Sequence, residues 1–202
     1  MAARNLIGLT GGIAAGKSET LRAFERQGAA TISTDAVVHD LQRSPEVVSR
    51  MAARWGDEIA PGGELDRARV AEIVFSDPDE LRWLESELHP LVGGRVIEWA
   101  GQLPSDITLA VVEVPLLFES GMDEMFDAVV AVIADDELRG EREKTRDLAA
   151  LEGRSGRQLG QDEKAERASH VIVNDGSLED LEVRVAELVE ELGRDEEPVA
   201  DE

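Results

Sequence analysis

Short apolar, β-branched runs alternate along the chain with longer stretches in which apolar residues recur at helical spacing. Near-continuous apolar runs are typical of strands covered on both faces, and their alternation with helices is typical of a parallel sheet. The pattern predicts strands at residues 5–10, 29–34, 107–114, 128–134 and 170–174. It predicts helices at residues 17–27, 36–42, 45–55, 67–75, 78–101, 136–148, 161–168 and 178–192. In such a sheet, ligands bind at the carboxyl ends of the strands.

Two stretches interrupt the alternation. More than seventy residues separate the second predicted strand from the third, which is too many for one crossover helix, and they contain all three Trp residues. This stretch predicts a helical lobe inserted in the sheet. Residues 139–167 form the second interruption and hold eight of the 21 basic residues. Residues 193–202 are charged and almost without apolar content, which predicts a disordered acidic tail.

Length and charge restrict the class of protein. A chain of 202 residues with 42% hydrophobic content can bury a core, and the absence of Cys excludes disulfides and thiolate metal sites. The net charge of −23 disfavours binding to nucleic acid and is typical of a highly soluble or salt-adapted protein. The first residues do not form a signal peptide, and no eighteen apolar residues run together. We therefore expect a soluble cytoplasmic protein without a membrane partner.

Residues 11–18 match a phosphate-binding motif. They read Gly-Gly-Ile-Ala-Ala-Gly-Lys-Ser, which fits G-x-x-x-x-G-K-[ST] and lies between the first predicted strand and the first predicted helix. Gly11 and Gly16 allow backbone angles that turn successive N–H groups around a phosphate at a helix N-terminus. Lys17 supplies a positive charge for the β- and γ-phosphates, and Ser18 supplies a hydroxyl for Mg²⁺. The motif predicts a nucleoside triphosphate site.

The other lysines favour a small-molecule kinase over a GTPase. Guanine-selective switches carry [NT]-K-x-D after a later strand, whereas Lys144 and Lys164 lie in Glu-Lys-Thr-Arg and Glu-Lys-Ala-Glu. A kinase needs a carboxylate that takes the hydroxyl proton of the acceptor, together with cations that hold the transferred phosphoryl group.

Acidic residues follow two of the predicted strands. Asp35 comes directly after the second strand, where it could face the acceptor hydroxyl or, equally well, cap the next helix. Glu113 ends the third strand, where P-loop folds place an acidic residue near the metal, and a buried carboxylate there needs a partner. Glu119, six residues later, could face the same crevice.

Basic residues of the second interruption are candidate phosphate ligands. Arg142 and Arg146 are four residues apart on one predicted helical face, and Arg157 follows in the next segment. Pairing with neighbouring acidic residues is the alternative, and the pattern alone slightly favours it. His89 precedes Pro90, and its residue type alone does not identify it as an acid or base.

A set of short elements also occurs in a defined order along the chain. They are the stretch at residues 7–18, Asp35-Ala36, Leu65-Asp66-Arg67, His89-Pro90, Val114-Pro115-Leu116-Leu117-Phe118-Glu119, the spaced Arg142, Arg146 and Gln161, and Val173-Asn174. Together they resemble the dephospho-CoA kinase family, over residues 6 to about 190. The Leu-Asp-Arg, His-Pro and Pro-Leu-Leu-Phe-Glu elements are not general features of P-loop proteins.

The resemblance implies an activity and a domain organisation. The activity is ATP-dependent phosphorylation of the ribose 3′-hydroxyl of dephospho-CoA, which gives coenzyme A and ADP in the last step of coenzyme A biosynthesis. The implied fold is a P-loop NTPase-type α/β core with a parallel sheet flanked by helices. Its implied parts are the core at residues 1–34, 106–136 and 168–192, an acceptor-binding helical insertion at 35–105, an arginine-bearing lid at 137–167, and the tail at 193–202.

The same resemblance assigns roles to residues. The implied catalytic set is Asp35 as the base, with Lys17, Arg142 and Arg146. The implied ATP contacts are Gly11, Gly12, Ile13, Ala14, Ala15, Gly16, Lys17, Ser18, Glu19 and Arg142, and the implied acceptor contacts are Asp35, Arg67, His89 and Glu119. Mg²⁺ is the implied cofactor, with Ser18 and Glu113 as its ligands. The implied partners are ATP and dephospho-CoA, and the oligomeric state stays open.

Three positions depart from the family pattern. Ser33 stands where the family usually has a first Asp, which leaves Asp35 as the one carboxylate there. Glu113 stands where Asp is usual and could shift how the metal or its waters are held. Glu19 follows Ser18 where a hydroxyl residue is common, and its charge beside a triphosphate is mildly unfavourable. None of these changes removes an indispensable group.

Two other functions remain open from the sequence. One is a kinase on the same core for another small acceptor, such as a nucleoside monophosphate. The other is a nucleotide-binding regulator without catalysis, although Asp35 and the lid arginines argue against it.

Overall fold

A parallel sheet forms the centre of the computed structural model, which describes residues 5–144 and 158–194. Its strands are β1 (Asn5–Gly11), β2 (Ala30–Ser33), β3 (Leu109–Glu113), β4 (Ala128–Ile133) and β5 (His170–Val173), in the order β2-β3-β1-β4-β5. All five strands were predicted, with ends that differ by no more than two residues. The P-loop NTPase-type fold is confirmed.

The register of the sheet brings the ends of the central strands together. On β1, Leu9 lies opposite Glu113 of β3 and Val130 of β4. Every residue of β3 is buried, as the near-continuous apolar sequence predicts for a strand covered on both faces. The loops that follow β1 and β3 therefore begin side by side, at the carboxyl ends of these two neighbouring strands.

Helices flank the sheet and fill the long connection between β2 and β3. They are α1 (Lys17–Arg26), α2 (Thr34–Leu41), α3 (Pro45–Trp55), α4 (Arg67–Ser76), α5 (Pro78–Gln102), α6 (Asp136–Lys144), α7 (Gln161–Arg167) and α8 (Leu178–Arg194). Short 3₁₀ turns lie at Asp57–Ile59, Pro61–Gly63 and Met122–Met125. Helix α8 extends two residues past the predicted start of the tail, and residues 195–202 lie outside the described chain. None of the helices described is long and apolar enough to cross a bilayer.

Contacts within the chain define two units. One spans Met1–Ile32 and Ala100–Glu202, and the other spans Ser33–Trp99. We call them the sheet unit and the helical unit. In the sheet unit, Phe24 of α1 and Leu181 and Val185 of α8 join Ile7 and Leu9 in one fully or almost fully buried apolar cluster. These contacts fix helix α1, and with it the loop that precedes α1, against the sheet.

Charged and aromatic side chains join α3 to α5 in the helical unit. The Arg54 guanidinium donates to both carboxylate oxygens of Glu80, at 3.0 and 2.8 Å, and Trp55 Nε1 donates to the same carboxylate at 2.8 Å. The rings of Trp55 and Trp83 meet edge to face with centroids 5.0 Å apart. Helix α5 continues through Pro90, in agreement with the single helix predicted at residues 78–101.

Candidate functional site

The phosphate-binding motif forms a tight loop between β1 and α1. Gly11 has φ +151°, Gly16 has φ +101° and Ala14 has φ +57°. A Cβ atom on Gly11 would overlap the carbonyl of Val132 on β4, so that position requires glycine for space as well as for conformation. The predicted need for Gly11 and Gly16 is confirmed, whereas the positive φ of Ala14 was not predicted.

Asn174 supports the far side of this loop. Its side-chain amide is buried and donates to the Ala15 carbonyl at 2.8 Å, while its backbone N–H extends the β4–β5 ladder to the Ile133 carbonyl at 2.8 Å. A Cβ atom on Gly16 would overlap the Asn174 amide nitrogen. Asn174 therefore links β5 to the two residues that directly precede α1, Ala15 and Gly16.

Lys17 closes the loop from within. Its ammonium donates to the carbonyl oxygens of Gly11, at 3.1 Å, and Gly12, at 2.7 Å. Within the described chain, helix α1 has no side-chain cap, so its positive end faces the loop that the motif predicts to hold phosphate. The lysine and the helix terminus place positive charge on the same loop.

Ser18 and Glu113 meet at the ends of α1 and β3. The Ser18 hydroxyl donates to the Glu113 carboxylate at 3.3 Å, and Glu113 is only 8% exposed. This contact supplies the partner that a buried carboxylate was predicted to need. Two adjacent oxygen donors suit Mg²⁺, which takes one or two protein ligands and completes its shell with phosphates and waters. No group of three or more acidic or His side chains in the described chain forms a separate metal cage.

Two arginines of α6 contact the phosphate loop or Asn174, the residue that supports it. Arg142 donates to the Asn174 carbonyl at 3.3 Å. Arg139, which was not among the predicted site residues, donates through Nε to the Ile13 carbonyl at 2.9 Å and pairs with Asp136 at 2.8 Å. The predicted partner of Arg142 on this face, Arg146, lies outside the described residues, as does Arg157.

Glu119 lies in the sheet unit and forms a buried ion pair. Its carboxylate is 3.0 Å from the ammonium of Lys164, whose side chain has no exposed surface, and it also accepts the Leu159 N–H at 2.8 Å. The ammonium further donates to the carbonyl of Pro115 at 2.6 Å and to the hydroxyl of Thr10 at 3.2 Å. Burial lowers the pKa of Lys164, and the hydrogen bond and charge of Glu119 counteract only part of that effect. These contacts tether α7 to the loop that follows β3.

Glu19 carries its negative charge next to two arginines. Its carboxylate accepts from Arg26 and Arg22, each at 2.9 Å, and these hydrogen bonds lower the pKa of Glu19. The carboxylate is therefore ionised, but its charge is largely compensated. This pairing explains how the chain accommodates an acidic residue directly after the phosphate-binding motif.

A cavity of about 340 Å³ opens beside the loop. Gly16, Glu19, Arg142 and Asn174 line it from the loop side. Its remaining lining residues are Ala14, Gly176, Ser177, Leu178 and Leu181. The cavity thus combines the loop with the start of α8, and residues 176–178 were not among the predicted ATP contacts.

Asp35 lies in the first turn of α2 in the helical unit. Ser33 is the residue that precedes the helix, with extended backbone angles, and Thr34 is its first residue. The helix-capping interpretation of Asp35 is therefore wrong, because Asp35 is already inside the helix. Its side chain is exposed.

The acceptor residues predicted in the helical unit separate in the structure. Arg67 lines a cavity of about 410 Å³ with His39, Arg43 and Glu64, and neither His39 nor Arg43 was predicted. His89 is exposed on α5 and is not among the residues that line this cavity.

Asp66, within the Leu-Asp-Arg element, caps α4. Its carboxylate accepts the N–H groups of Ala68 and Arg69 at 3.0 and 3.3 Å. Part of this element therefore has a structural role, because it sets the start of the helix that carries Arg67.

Two glutamines near the phosphate loop make contacts with backbone atoms that no sequence pattern predicts. The Gln161 amide forms two hydrogen bonds with the backbone of Ala134, at 3.1 and 2.9 Å, and Gln158 donates to the Gly11 carbonyl at 2.9 Å. Gln161 was part of the resemblance without a role, whereas Gln158 was not identified. Both glutamines contact residues far away in sequence, so no periodic pattern along the chain indicates these contacts.

Comparison with known proteins agrees with this geometry. A model of the dephospho-CoA kinase family matches residues 5–180. A relative from Thermobifida fusca named dephospho-CoA kinase is 35% identical, over 93% of this chain and 96% of the relative. The solved dephospho-CoA kinase from Campylobacter jejuni is 25% identical with a TM-score of 0.71, covering 96% of this chain and 100% of that one. A solved protein from Thermus thermophilus is 34% identical with a TM-score of 0.78, covering 94% and 98%. The chain therefore belongs to the dephospho-CoA kinase family.

Proposed function

We propose that this protein transfers the γ-phosphoryl group of ATP to the ribose 3′-hydroxyl of dephospho-CoA, giving coenzyme A and ADP. The observation that carries the proposal is the grouping of Lys17, Ser18 and Glu113 at the carboxyl ends of β1 and β3. This grouping supplies a cation and two oxygen donors at one phosphate-binding loop, in a chain of the dephospho-CoA kinase family.

ATP would bind along the loop and in the cavity beside it. The triphosphate takes the loop at residues 11–18, and the Lys17 ammonium moves from the Gly11 and Gly12 carbonyls to the phosphate oxygens. The nucleoside occupies the cavity of about 340 Å³ that Glu19 and Arg142 border. Arg142, which lines this cavity, is proposed to neutralise phosphate charge, and Arg146 is proposed for the same role.

Ser18 and Glu113 would hold Mg²⁺, directly or through its waters. When bound, the metal neutralises charge on the β- and γ-phosphates. The longer side chain of Glu113, compared with the usual Asp, reaches the Ser18 hydroxyl, and this contact supports the proposal that both residues serve one metal ion.

The transfer itself requires one proton acceptor. Asp35 takes the proton of the ribose hydroxyl as the ribose oxygen bonds to the γ-phosphorus. The bond between that phosphorus and the β–γ bridging oxygen breaks, and the electron pair leaves with ADP. Lys17, Arg142 and Arg146 stabilise the charge on the transferred group, which is the main task of a protein in this reaction.

Two segments are proposed to handle the acceptor and the closure of the site. Residues 35–105 bind dephospho-CoA, with Arg67 at the cavity of about 410 Å³ and His89 as a further contact. Residues 137–167 form the lid. Glu119 is proposed as an acceptor contact in addition to its pairing with Lys164. Cytoplasmic location stays a prediction.

ADP release from Mg-ATP tests the proposed function. Dephospho-CoA, AMP, CMP, shikimate and a blank without acceptor are compared at low and high salt. Stimulation by dephospho-CoA alone, with coenzyme A as the product, is the expected result. Activity with another acceptor would support kinase activity but contradict dephospho-CoA as the substrate. ATP binding without any acceptor-dependent ADP release would instead indicate a regulator.

Substitution of Asp35 tests its role as the base. Asp35→Asn removes the proton acceptor at constant size, so kcat should fall by roughly 10²-fold or more while the KM for ATP changes little. Asp40→Asn is the matched control, because Asp40 is another exposed acid on α2. Equal turnover in Asp35→Asn and Asp40→Asn would remove Asp35 from the mechanism.

A further inference from the structure

Gln158, in the segment that precedes α7, contacts the first residue of the phosphate loop. Its side-chain amide donates to the Gly11 carbonyl at 2.9 Å and to the Pro115 carbonyl at 3.3 Å. These carbonyls belong to the residue that ends β1 and to the loop that follows β3. One amide group therefore joins the end of β1, where the phosphate loop begins, to the loop that follows β3.

The Gly11 carbonyl has a second donor, which is the ammonium of Lys17 at 3.1 Å. Lys17 thus shares one acceptor with Gln158. When the ammonium turns to the phosphates of a nucleotide, this carbonyl loses its charged donor. A part-buried carbonyl left without a donor costs free energy, and that cost opposes binding of the nucleotide.

We propose that Gln158 is a positioning residue for Lys17, because it keeps the Gly11 carbonyl hydrogen-bonded when the lysine moves to phosphate. The inference rests on the proposed binding of ATP at this loop. It assigns Gln158 no contact with substrate. Its effect is to make the transfer of the lysine ammonium from the loop to the nucleotide less costly.

Lys164 fixes the second acceptor of Gln158. Its ammonium donates to the Pro115 carbonyl at 2.6 Å from a fully buried position. The Pro115 carbonyl is therefore held in place independently of Gln158, and it orients the Gln158 amide toward Gly11. The second N–H of the Gln158 amide group gives the two carbonyls simultaneous donors.

A double-mutant cycle tests this inference without the acceptor. Binding of Mg²⁺ and the non-hydrolysable ATP analogue AMP-PNP is measured for the wild type, Gln158→Leu, Lys17→Met and the double variant. Gln158→Leu should weaken binding about fivefold when Lys17 is present, which corresponds to about one hydrogen bond. In the Lys17→Met background the change should be below twofold, because the Gly11 carbonyl then lacks an ammonium both before and after binding.

The ligand-induced rise in the unfolding midpoint provides the readout, since it remains measurable with millimolar ligand when affinity is low. Gln161→Leu is the matched control. Its side chain binds the backbone of Ala134, so any effect on AMP-PNP binding should be the same in the wild-type and Lys17→Met backgrounds.

Three outcomes would overturn the inference. The first is that Gln158→Leu leaves AMP-PNP binding unchanged in both backgrounds, and the second is that it weakens binding equally in both. The third is that Gln161→Leu weakens binding by the same factor as Gln158→Leu and with the same dependence on Lys17. An equal effect in both backgrounds would mean that Gln158 only shapes the loop. Failure of the wild type to bind AMP-PNP would contradict ATP binding itself, so the two failures are distinguishable.

Discussion

The sheet unit and the helical unit use polar side chains in different ways. At the phosphate loop, buried or part-buried side chains of Gln158, Lys164 and Asn174 donate to backbone carbonyls of distant segments. In the helical unit, Arg50 pairs with Glu46 and Glu87, and Arg54 pairs with Glu80, through side chains that are partly exposed. The first kind of contact fixes the backbone, and the second joins the surfaces of helices.

This difference predicts different tolerance to substitution. A backbone carbonyl cannot move away from a lost donor without moving its strand, whereas an exposed side chain that loses its partner turns to water. Changes at the loop should therefore be costly, and changes in the exposed pairs of the helical unit should be mild.

Loss of the phosphate-loop lysine should have the largest effect. Lys17→Ala removes the cation that holds the loop and would bind the phosphates, so turnover should fall roughly 10²- to 10³-fold without loss of the fold. The measurement is the rate of ADP release with dephospho-CoA. Arg54→Ala removes a cation from an exposed pair and should leave turnover within about twofold. Wild-type turnover in Lys17→Ala would contradict the expectation that changes at the phosphate loop cost more than changes in the exposed pairs.

Removal of the buried lysine should have the next largest effect. Lys164→Met leaves Glu119 without its charged partner in a nearly buried position, and the free energy of unfolding should fall by about 3 kcal/mol at neutral pH. Urea unfolding followed by circular dichroism measures the loss. Adding Glu119→Gln to Lys164→Met should restore part of the stability, because the unpaired charge is then absent.

The pH dependence of this effect has a defined sign. Burial lowers the pKa of Lys164 in the folded protein below its unfolded value of 10.5. Between these two pKa values the unfolded state binds more protons, so the wild type gains stability as the pH rises. The stability difference between wild type and Lys164→Met should therefore grow with pH through this window. With no Cys or Tyr in the chain, few other groups titrate there. A constant or shrinking difference would contradict the assignment.

The same substitution at two glycines should have opposite effects. Gly16→Ala places a Cβ on a residue with φ +101° and against the Asn174 amide, so stability should fall by about 2 kcal/mol. Gly94 lies in the middle of α5 with open space around it, so Gly94→Ala should raise stability by about 0.5–1 kcal/mol. Denaturant unfolding of both variants measures the contrast, and a similar sign at both positions would refute it.

The sheet and most helix ends were predictable because each depends on a local pattern. Apolar runs indicated the strands, and Pro45 and Trp55 are both the predicted and the observed ends of α3. The helix over residues 78–101 was also predicted, because its apolar pattern continues across Pro90 although proline disfavours a helix interior. Helix α5 extends over 25 residues, and its buried residues Leu88, Val92 and Val96 lie on both sides of Pro90.

The candidate site was predictable where a motif carries the chemistry. Lys17, Ser18 and Glu113 were identified, and the structure brings Ser18 and Glu113 into contact. Lys164 and Gln158 were not identified, because a charged or amide side chain within a polar stretch normally indicates an exposed surface. Only the fold shows that Lys164 is fully buried and that its partners lie 45 or more residues away in sequence.

All tryptophan of the protein is confined to one of its two units. The chain has three Trp residues and no Tyr, and residues 55, 83 and 99 all belong to the helical unit, Ser33–Trp99. Light at the red edge of protein absorption therefore excites the helical unit alone, and the edge-to-face Trp55–Trp83 pair gives that emission a sensitive local environment. Circular dichroism, in contrast, reports on both units. Divergence of the two signals during unfolding would reveal, without any label, whether the units melt together or in sequence.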